Sequence, residues 1–334
     1  MKAIAYTAPQ QVKEVDDWPE PDCGPAEVIV AMRAVGLCGS DLSLYDGHRA
    51  PPSLPWVMGH EGGGDIVAVG ADVTDRHVGQ RVVIEPNLSC LHCPACRSGV
   101  TSDCRNRAIL GMNHPGILAE RVAVPAQFTW PVNDDSPEEL LACFEPLAVA
   151  RSAVRRSGIG RGDSALIVGA GSQGIFVALS LLAVGAEPYV TDPHDGRVAL
   201  AESLGAQRGD ATDGTYPYVF ETAGPPAAFD TAMRTVASTG TVTLIGLTHE
   251  PVQLSTADVV RRGIRIVGSI IYDHPRDFAD TWQAVSSTDI RPERAVQTGF
   301  HPQDAASAFA EARSAAGKSW IDLTGWDAST GGAP

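Results

Sequence analysis

The stretch from Ser164 to Gly185 reads SALIVGAGSQGIFVALSLLAVG. Its opening apolar residues suit a buried strand. The run after Gly174 stays apolar without a breaker for long enough to be a helix. Between them stand Gly169-Ala170-Gly171-Ser172-Gln173-Gly174. Gly169 permits a tight turn, Gly171 lets the backbone approach a pyrophosphate, and Gly174 lets the helix pack closely on the strand. The free N–H groups of the helix N-terminus would face the anion. A bare GxGxxG is weak, but this one has the required strand–turn–helix setting, with Asp192 at the end of the next strand. Asp192 is expected to accept hydrogen bonds from the adenosine ribose, and a 2′-phosphate would meet a carboxylate there, so NAD is expected over NADP. The plain alternative is a turn residue before Pro193. Arg197 would cover the adenine side or offset a phosphate. Gly246 and Ile270, closing GTVTLIG and IRIVGSI, are further cofactor candidates.

Outward from this stretch, strands and helices alternate: EPYVTD, DGRVALAESLG, YVFETAG, PAAFDTAMRTVAS, GTVTLIG and IRIVGSI. That alternation predicts an α/β domain, a doubly wound parallel sheet with helices on both faces, over residues 146–271. Residues 1–145 look different, with short β-like runs such as EVIVAMRAVG, GGGDIVAVG and QRVVIEPN broken by Gly and Pro. They predict an irregular barrel-like domain. Residues 272–334 are expected to return to it through the helix HPRDFADTWQAVSS, and the tail after Asp322 is expected to fray. A chain of 334 residues is too long for one comfortable core.

Cys90, Cys93, Cys96 and Cys104 lie in SCLHCPACRSGVTSDC, residues 89–104. So short a loop can bring four thiols to the corners of a tetrahedron, as a structural zinc requires. Four thiolates leave no open position, so this metal would hold a lobe (about 88–106) together and do no chemistry. The alternative is a pair of disulfides in a secreted protein. Met1-Lys2-Ala3-Ile4 runs straight into a strand without a signal-peptide pattern, and an odd count of 7 Cys suits a reducing compartment. A cytoplasmic location is expected.

A second constellation is dispersed: Cys38 in GLCGSD, His60-Glu61 in GHEGGG, and Glu145 in FEPLA. One thiolate, one imidazole and one or two carboxylates leave room for a water, the pattern of a catalytic zinc. Each has a bland reading: a buried small hydrophobe for Cys38, a satisfied core residue for His60, a first-turn acid for Glu145. Ser40, two residues past Cys38, is placed to accept a proton.

GHEGGGDIVAVG, the CGSD turn, the four-cysteine lobe, EPLAVA and GAGSQG together resemble the zinc-dependent medium-chain alcohol dehydrogenases, in order and spacing, over essentially the whole chain. Glu145 is similar to the sorbitol and polyol branch. The resemblance implies a GroES-like catalytic domain beside a Rossmann domain, two zinc ions per subunit and a homodimer or homotetramer. It places Cys38, His60 and Glu145 around the catalytic zinc, with Glu61 as the ligand that swings in when water or substrate leaves. Asp41 would orient His60, as metal-bound imidazoles generally require. Ser40 would pass the alcohol proton toward the nicotinamide ribose. Ser43 stands where many relatives carry a relay His, so Ser43, water or His48 would take that role. His114 stands near where an acidic residue is usual. Tyr45, Trp56 and His48 are candidates for a pocket wall.

The expected activity is hydride transfer between NAD(H) and a secondary alcohol or ketone, with a polyol, sugar or cyclitol as leading substrate class. Two rivals stand beside it: a zinc-free reductase of activated double bonds, and a nucleotide-binding redox sensor without turnover. A net charge of −15 argues against nucleic acid or an anionic membrane as partner. No apolar run approaches the ~20 residues of a membrane span.

Overall fold

The computed structural model describes residues 1–287 and 290–329, which divide into two compact units. The first comprises Met1–Glu145 and the chain from Val296 onward. Its central strand, Glu27–Gly36, is rich in Val and Ile, which favour a pleated backbone. One edge pairs antiparallel with Glu61–Val69. The other pairs with Arg121–Pro125 over its first half and with Lys318–Asp322 over its last residues. Arg81–Ile84 and Thr129–Pro131 extend the sheet on one side, and Val296–Phe300 on the other. A separate three-stranded sheet holds Gln11–Val15, Ala3–Ala8 and Trp56–Val57. Val28, Val30, Ile66, Val82, Ile117 and Phe128 fill the core between these strands. Each such burial stabilises by roughly 1.5–3 kcal/mol.

The glycine run after His60 serves this packing. A Cβ on Gly63 would lie 2.3 Å from the Val82 carbonyl oxygen, and one on Gly64 would lie 1.8 Å from that of Ala31. Neighbouring strands therefore close over the run, and its local composition is structural rather than ligand-driven.

The second unit is Pro146–Ala295. Its six-stranded sheet is wholly parallel, with Gln207–Arg208, Glu187–Thr191, Ser164–Val168, Tyr216–Glu221, Val236–Leu244 and Arg265–Gly268 side by side in that order. The strand order reverses between Ser164–Val168 and Tyr216–Glu221, where doubly wound folds bind their ligands beyond the carboxyl ends of the strands. Helices Ser172–Val184, Asp195–Ser203 and Pro226–Thr235 supply the crossovers.

Two expectations need correction. The return to the first unit begins at Val296, not at residue 272. Helix Arg276–Ser287 stays with the second unit because its buried Asp277 accepts hydrogen bonds from Ser152 (2.9 Å) and Arg155 (2.8 Å). Nor does the described chain fray directly after Asp322; residues 330–334 lie outside the described residues. Leu323 and Trp326 are buried in the first unit's core, and Trp326 Nε1 donates to Glu14 Oε2 at 3.0 Å. Two large apolar side chains anchor a segment that shows no periodic pattern. Among the described residues, no helix is long and apolar enough to cross a membrane.

Candidate active site

Cys38 stands at the N-terminus of the helix Gly39–Tyr45 and His60 on the turn that enters the strand Glu61–Val69. One carboxylate ties these two turns together. Asp41 Oδ2 accepts from the Cys38 N–H at 3.1 Å, and Asp41 Oδ1 accepts from the Gly59 N–H at 3.2 Å. The same Oδ1 lies 3.4 Å from His60 Nδ1, an ion-pair distance at which no well-aligned hydrogen bond forms. Asp41 is 1% exposed. Burial pushes its pKa up, but the imidazole of His60 and the two backbone N–H groups outweigh this and hold it below the ordinary value. Burial likewise disfavours a charged His60, yet the Asp41 and Cys38 charges raise it well above an ordinary histidine.

Ligand atoms of Cys38, His60 and Glu61 lie within 4.8 Å of one another. A thiol, an imidazole and a carboxylate, buried or half-buried at that spacing, form a donor set that suits zinc. The Ser40 hydroxyl lies 3.4 Å from His60 Nε2, so the expected proton acceptor stands beside the expected ligand. Glu145 is the exception. It is buried in the helix Glu138–Ser157, but the grouping that unites Cys38, His60 and Glu61 does not include it. The carboxylate grouped with Cys38 and His60 is Glu61, which follows His60 on its own strand. Glu145 comes from a separate element.

The pocket-wall candidates lie in different settings. Tyr45 stacks on Phe309 with ring centroids 5.3 Å apart, and Trp56 Nε1 donates to the Gly111 carbonyl at 3.1 Å. Both belong to the hydrophobic core. His48 and His114 are exposed, and Ser43 is half-buried.

The four-cysteine loop closes as its spacing predicts. Sulfur atoms lie 3.5 Å apart for Cys93–Cys96, 3.6 Å for Cys104–Cys90 and 4.0 Å for Cys90–Cys96. Four sulfurs at ~2.3 Å from a tetrahedral zinc would be about 3.8 Å apart, so the cluster has the size of that ion. Backbone N–H groups of His92 and then Cys93, working against burial, lower Cys90 to about 6. Burial and sharing with Cys93 push Cys96 up to about 12. A dication would remove that conflict by taking all four as thiolates.

In the second unit the glycine motif has the geometry of a phosphate cradle. Gly169 has φ +103°, in the left-handed region that favours glycine. A Cβ on Gly174 would lie 1.9 Å from the Gly169 carbonyl oxygen, so the fold itself demands that glycine. A Cβ on Gly171 would meet nothing within 4 Å. The protein leaves this space open, which fits a cradle for a nucleotide pyrophosphate. Ser172 opens the helix, and Gln173 Nε2 donates to the Pro146 carbonyl at 3.4 Å. The Asp192 carboxylate accepts from the N–H groups of Ala170 and His194, both at 2.8 Å, with Arg197 4.0 Å away. Gly246 packs against Gly224 and the buried Glu221, and Ile270 is exposed.

Sequence reasoning missed Lys318. It is 2% exposed, and its Nζ donates to Glu61 Oε2 and, at 3.0 Å, to the Leu37 carbonyl. Burial disfavours its charge, but the neighbouring Glu61 and Cys38 raise its pKa. No local pattern flags a lysine that opens a strand 257 residues beyond its partner.

Residues 24–134 match the family described as "Alcohol dehydrogenase GroES-like domain", and residues 174–287 match "Zinc-binding dehydrogenase". The L-threonine 3-dehydrogenase of Pectobacterium carotovorum subsp. carotovorum (strain PC1) is 30% identical, covering 98% of this chain and 99% of that protein. Galactitol-1-phosphate dehydrogenase from Escherichia coli is similar in structure, with a TM-score of 0.88 at 25% identity over 97% of this chain and 100% of that one. A structure from Sinorhizobium meliloti 1021, named provisionally as a zinc-binding dehydrogenase and bound to NADP, gives a TM-score of 0.87 at 28% identity over 96% and 99%.

Proposed function

Because the chain belongs to the zinc-binding medium-chain alcohol dehydrogenase family, we propose that its substrate is a small, polyhydroxylated secondary alcohol and that Cys38, His60 and Ser40 carry the chemistry. Zinc-type oxidoreduction of an alcohol with a nicotinamide cofactor comes with family membership; the substrate and the residue roles are our reading. The observation that carries it is the convergence of Cys38, His60 and Glu61 within 4.8 Å, with the Ser40 hydroxyl against the imidazole. Two relatives are named for small polar alcohols. Threonine and galactitol 1-phosphate each carry a secondary hydroxyl next to a carbon bearing another heteroatom.

Cys38 and His60 would hold the zinc, with Glu61 or Glu145 as carboxylate, and a bound zinc would supply Lewis acidity that lowers the pKa of the substrate hydroxyl. Asp41 fixes the imidazole and caps the Cys38 turn. Ser40 Oγ accepts the hydroxyl proton and passes it on, leaving the carbon free to give hydride to the nicotinamide. Backbone N–H groups at Gly171 and Ser172 take the pyrophosphate, and Asp192 takes the adenosine ribose, which favours NAD over NADP. Cys90, Cys93, Cys96 and Cys104 would hold a second zinc that stiffens their loop. The assembled donor set speaks against a zinc-free reductase, and Ser40 beside it speaks against a sensor without turnover.

We also propose a homodimer or homotetramer through the strand Arg265–Gly268. It ends the parallel sheet and lies among the exposed apolar residues Val260 and Ile270. A monomeric mass at working concentration would refute this. The test of function is a panel of diols, sugar alcohols and hydroxy amino acids with NAD and NADP, beside His60→Ala and Ser40→Ala. His60→Ala should lose one zinc and nearly all turnover. Ser40→Ala should keep both ligands and slow turnover by about 10²–10⁴-fold. Wild-type turnover by His60→Ala would end the reading.

A further inference from the structure

Behind the two ligand-bearing turns lies one buried cation. Lys318 Nζ donates to the carbonyl of Leu37, the residue before Cys38, and to the carboxylate of Glu61, the residue after His60. The ammonium is therefore fixed against both turns at once. Gly36 makes room for it: a Cβ there would lie 2.7 Å from Lys318 Cε and 2.9 Å from Glu61 Oε2. Lys318 is 2% exposed, and so is Glu61. Two charges buried this deeply persist because each offsets the other. A Glu61 carboxylate that left for a metal would leave the ammonium its hydrogen bond to the Leu37 carbonyl but not its ion pair, so the pair resists that move. Without the ammonium, Glu61 loses the charge that now offsets it, and a metal could take that place.

We propose that Lys318 is a positioning residue that keeps Glu61 in reserve, beside a metal held by Cys38 and His60 but not bound to it, so that a coordination position stays open for substrate. The proposal rests on the reading above that Cys38 and His60 hold that metal. It assigns Lys318 a task distinct from stabilising the fold, because its effect on turnover passes through one carboxylate.

The test compares Lys318→Met, Glu61→Gln and the double variant, each loaded with Zn²⁺ or with Co²⁺ as a spectroscopic probe. In Lys318→Met the freed carboxylate should join the metal. The Co²⁺ visible bands should change, Zn²⁺ should be retained about tenfold more tightly, and turnover should fall about 10–100-fold. Adding Glu61→Gln should return the Co²⁺ bands toward wild type and recover most of the turnover lost in Lys318→Met. Unchanged bands and turnover in Lys318→Met would overturn the proposal, as would equal losses in the single and double variants. If Lys318→Met yields no soluble protein, Glu61→Gln is compared with the double variant. A difference in turnover beyond threefold would then overturn the proposal, because Lys318 would be acting without Glu61. Failure of the His60→Ala test would instead remove the metal reading while leaving these comparisons intact.

Discussion

Asp41→Asn probes the proposed metal site through a residue that would not itself bind the metal. The carboxylate now serves three neighbours: the Cys38 N–H at 3.1 Å, the Gly59 N–H at 3.2 Å and His60 Nδ1 at 3.4 Å. An amide of the same shape has one accepting oxygen. If that oxygen stays with Gly59 and His60, its NH₂ group faces the Cys38 N–H, donor against donor. If it turns the other way, the NH₂ group faces the Gly59 N–H, again donor against donor. Either orientation removes one charge-assisted hydrogen bond, worth about 1.5–3 kcal/mol. At 1.4 kcal/mol per factor of ten, that is roughly a 10–150-fold loss in zinc affinity at this site, similar to the 10–100-fold typical of such supporting partners. The assay is competition with a chromophoric chelator that resolves two zinc ions per chain. The four-cysteine zinc is the internal standard and should be unaffected, since Asp41 plays no part in that loop. Turnover should fall in parallel with occupancy. A zinc affinity within threefold of wild type would refute the reasoning. Equal loss from both sites would also refute it, by showing general unfolding.

Four further outcomes are expected. Gly171→Ala should leave the melting temperature unchanged yet weaken NAD binding at least tenfold, because its Cβ meets no protein atom. Gly174→Ala, whose Cβ would collide with the Gly169 carbonyl, should destabilise the folded unit itself by about 1–3 kcal/mol. Melting curves with and without NAD separate the two. Asp192→Ala should erode discrimination against NADP and cost roughly 1–3 kcal/mol in NAD binding, and equal wild-type efficiency with both cofactors would contradict the assignment. Asp277 is buried, which raises its pKa, but Arg155, the Asp273 N–H and Ser152 outweigh burial and hold it below the ordinary value. Its contribution is therefore complete above the unfolded value near ~4 and is lost as pH falls through the lower folded value. Arg155 is partly exposed, so Asp277→Asn should cost about 1–3 kcal/mol at pH 7. The difference in urea midpoint should shrink toward zero as the pH is lowered below ~4; a gap that stays constant would contradict the linkage.

The features legible in the sequence are those whose partners lie close along the chain. The strand–turn–helix around Gly169 follows from local periodicity and from the turn geometry that glycine permits. The four-cysteine loop follows from spacing, because sixteen residues can bring their thiols together without help from the rest of the fold. Asp41 beside His60 was expected from the family resemblance, in agreement with the general need of a ligating imidazole for a second partner. Three things were decided by the tertiary structure. It brought the ligand atoms of Cys38, His60 and Glu61 within 4.8 Å of one another. It kept the helix Arg276–Ser287 with the nucleotide unit, through ion pairs reaching from Asp277 to Arg155. It brought Lys318 against Glu61 across 257 residues, by pairing Lys318–Asp322 with the end of Glu27–Gly36. Strand register and the direction of a buried side chain arise from long-range packing. A carboxylate or an ammonium does not show in the sequence which neighbour will offset its charge.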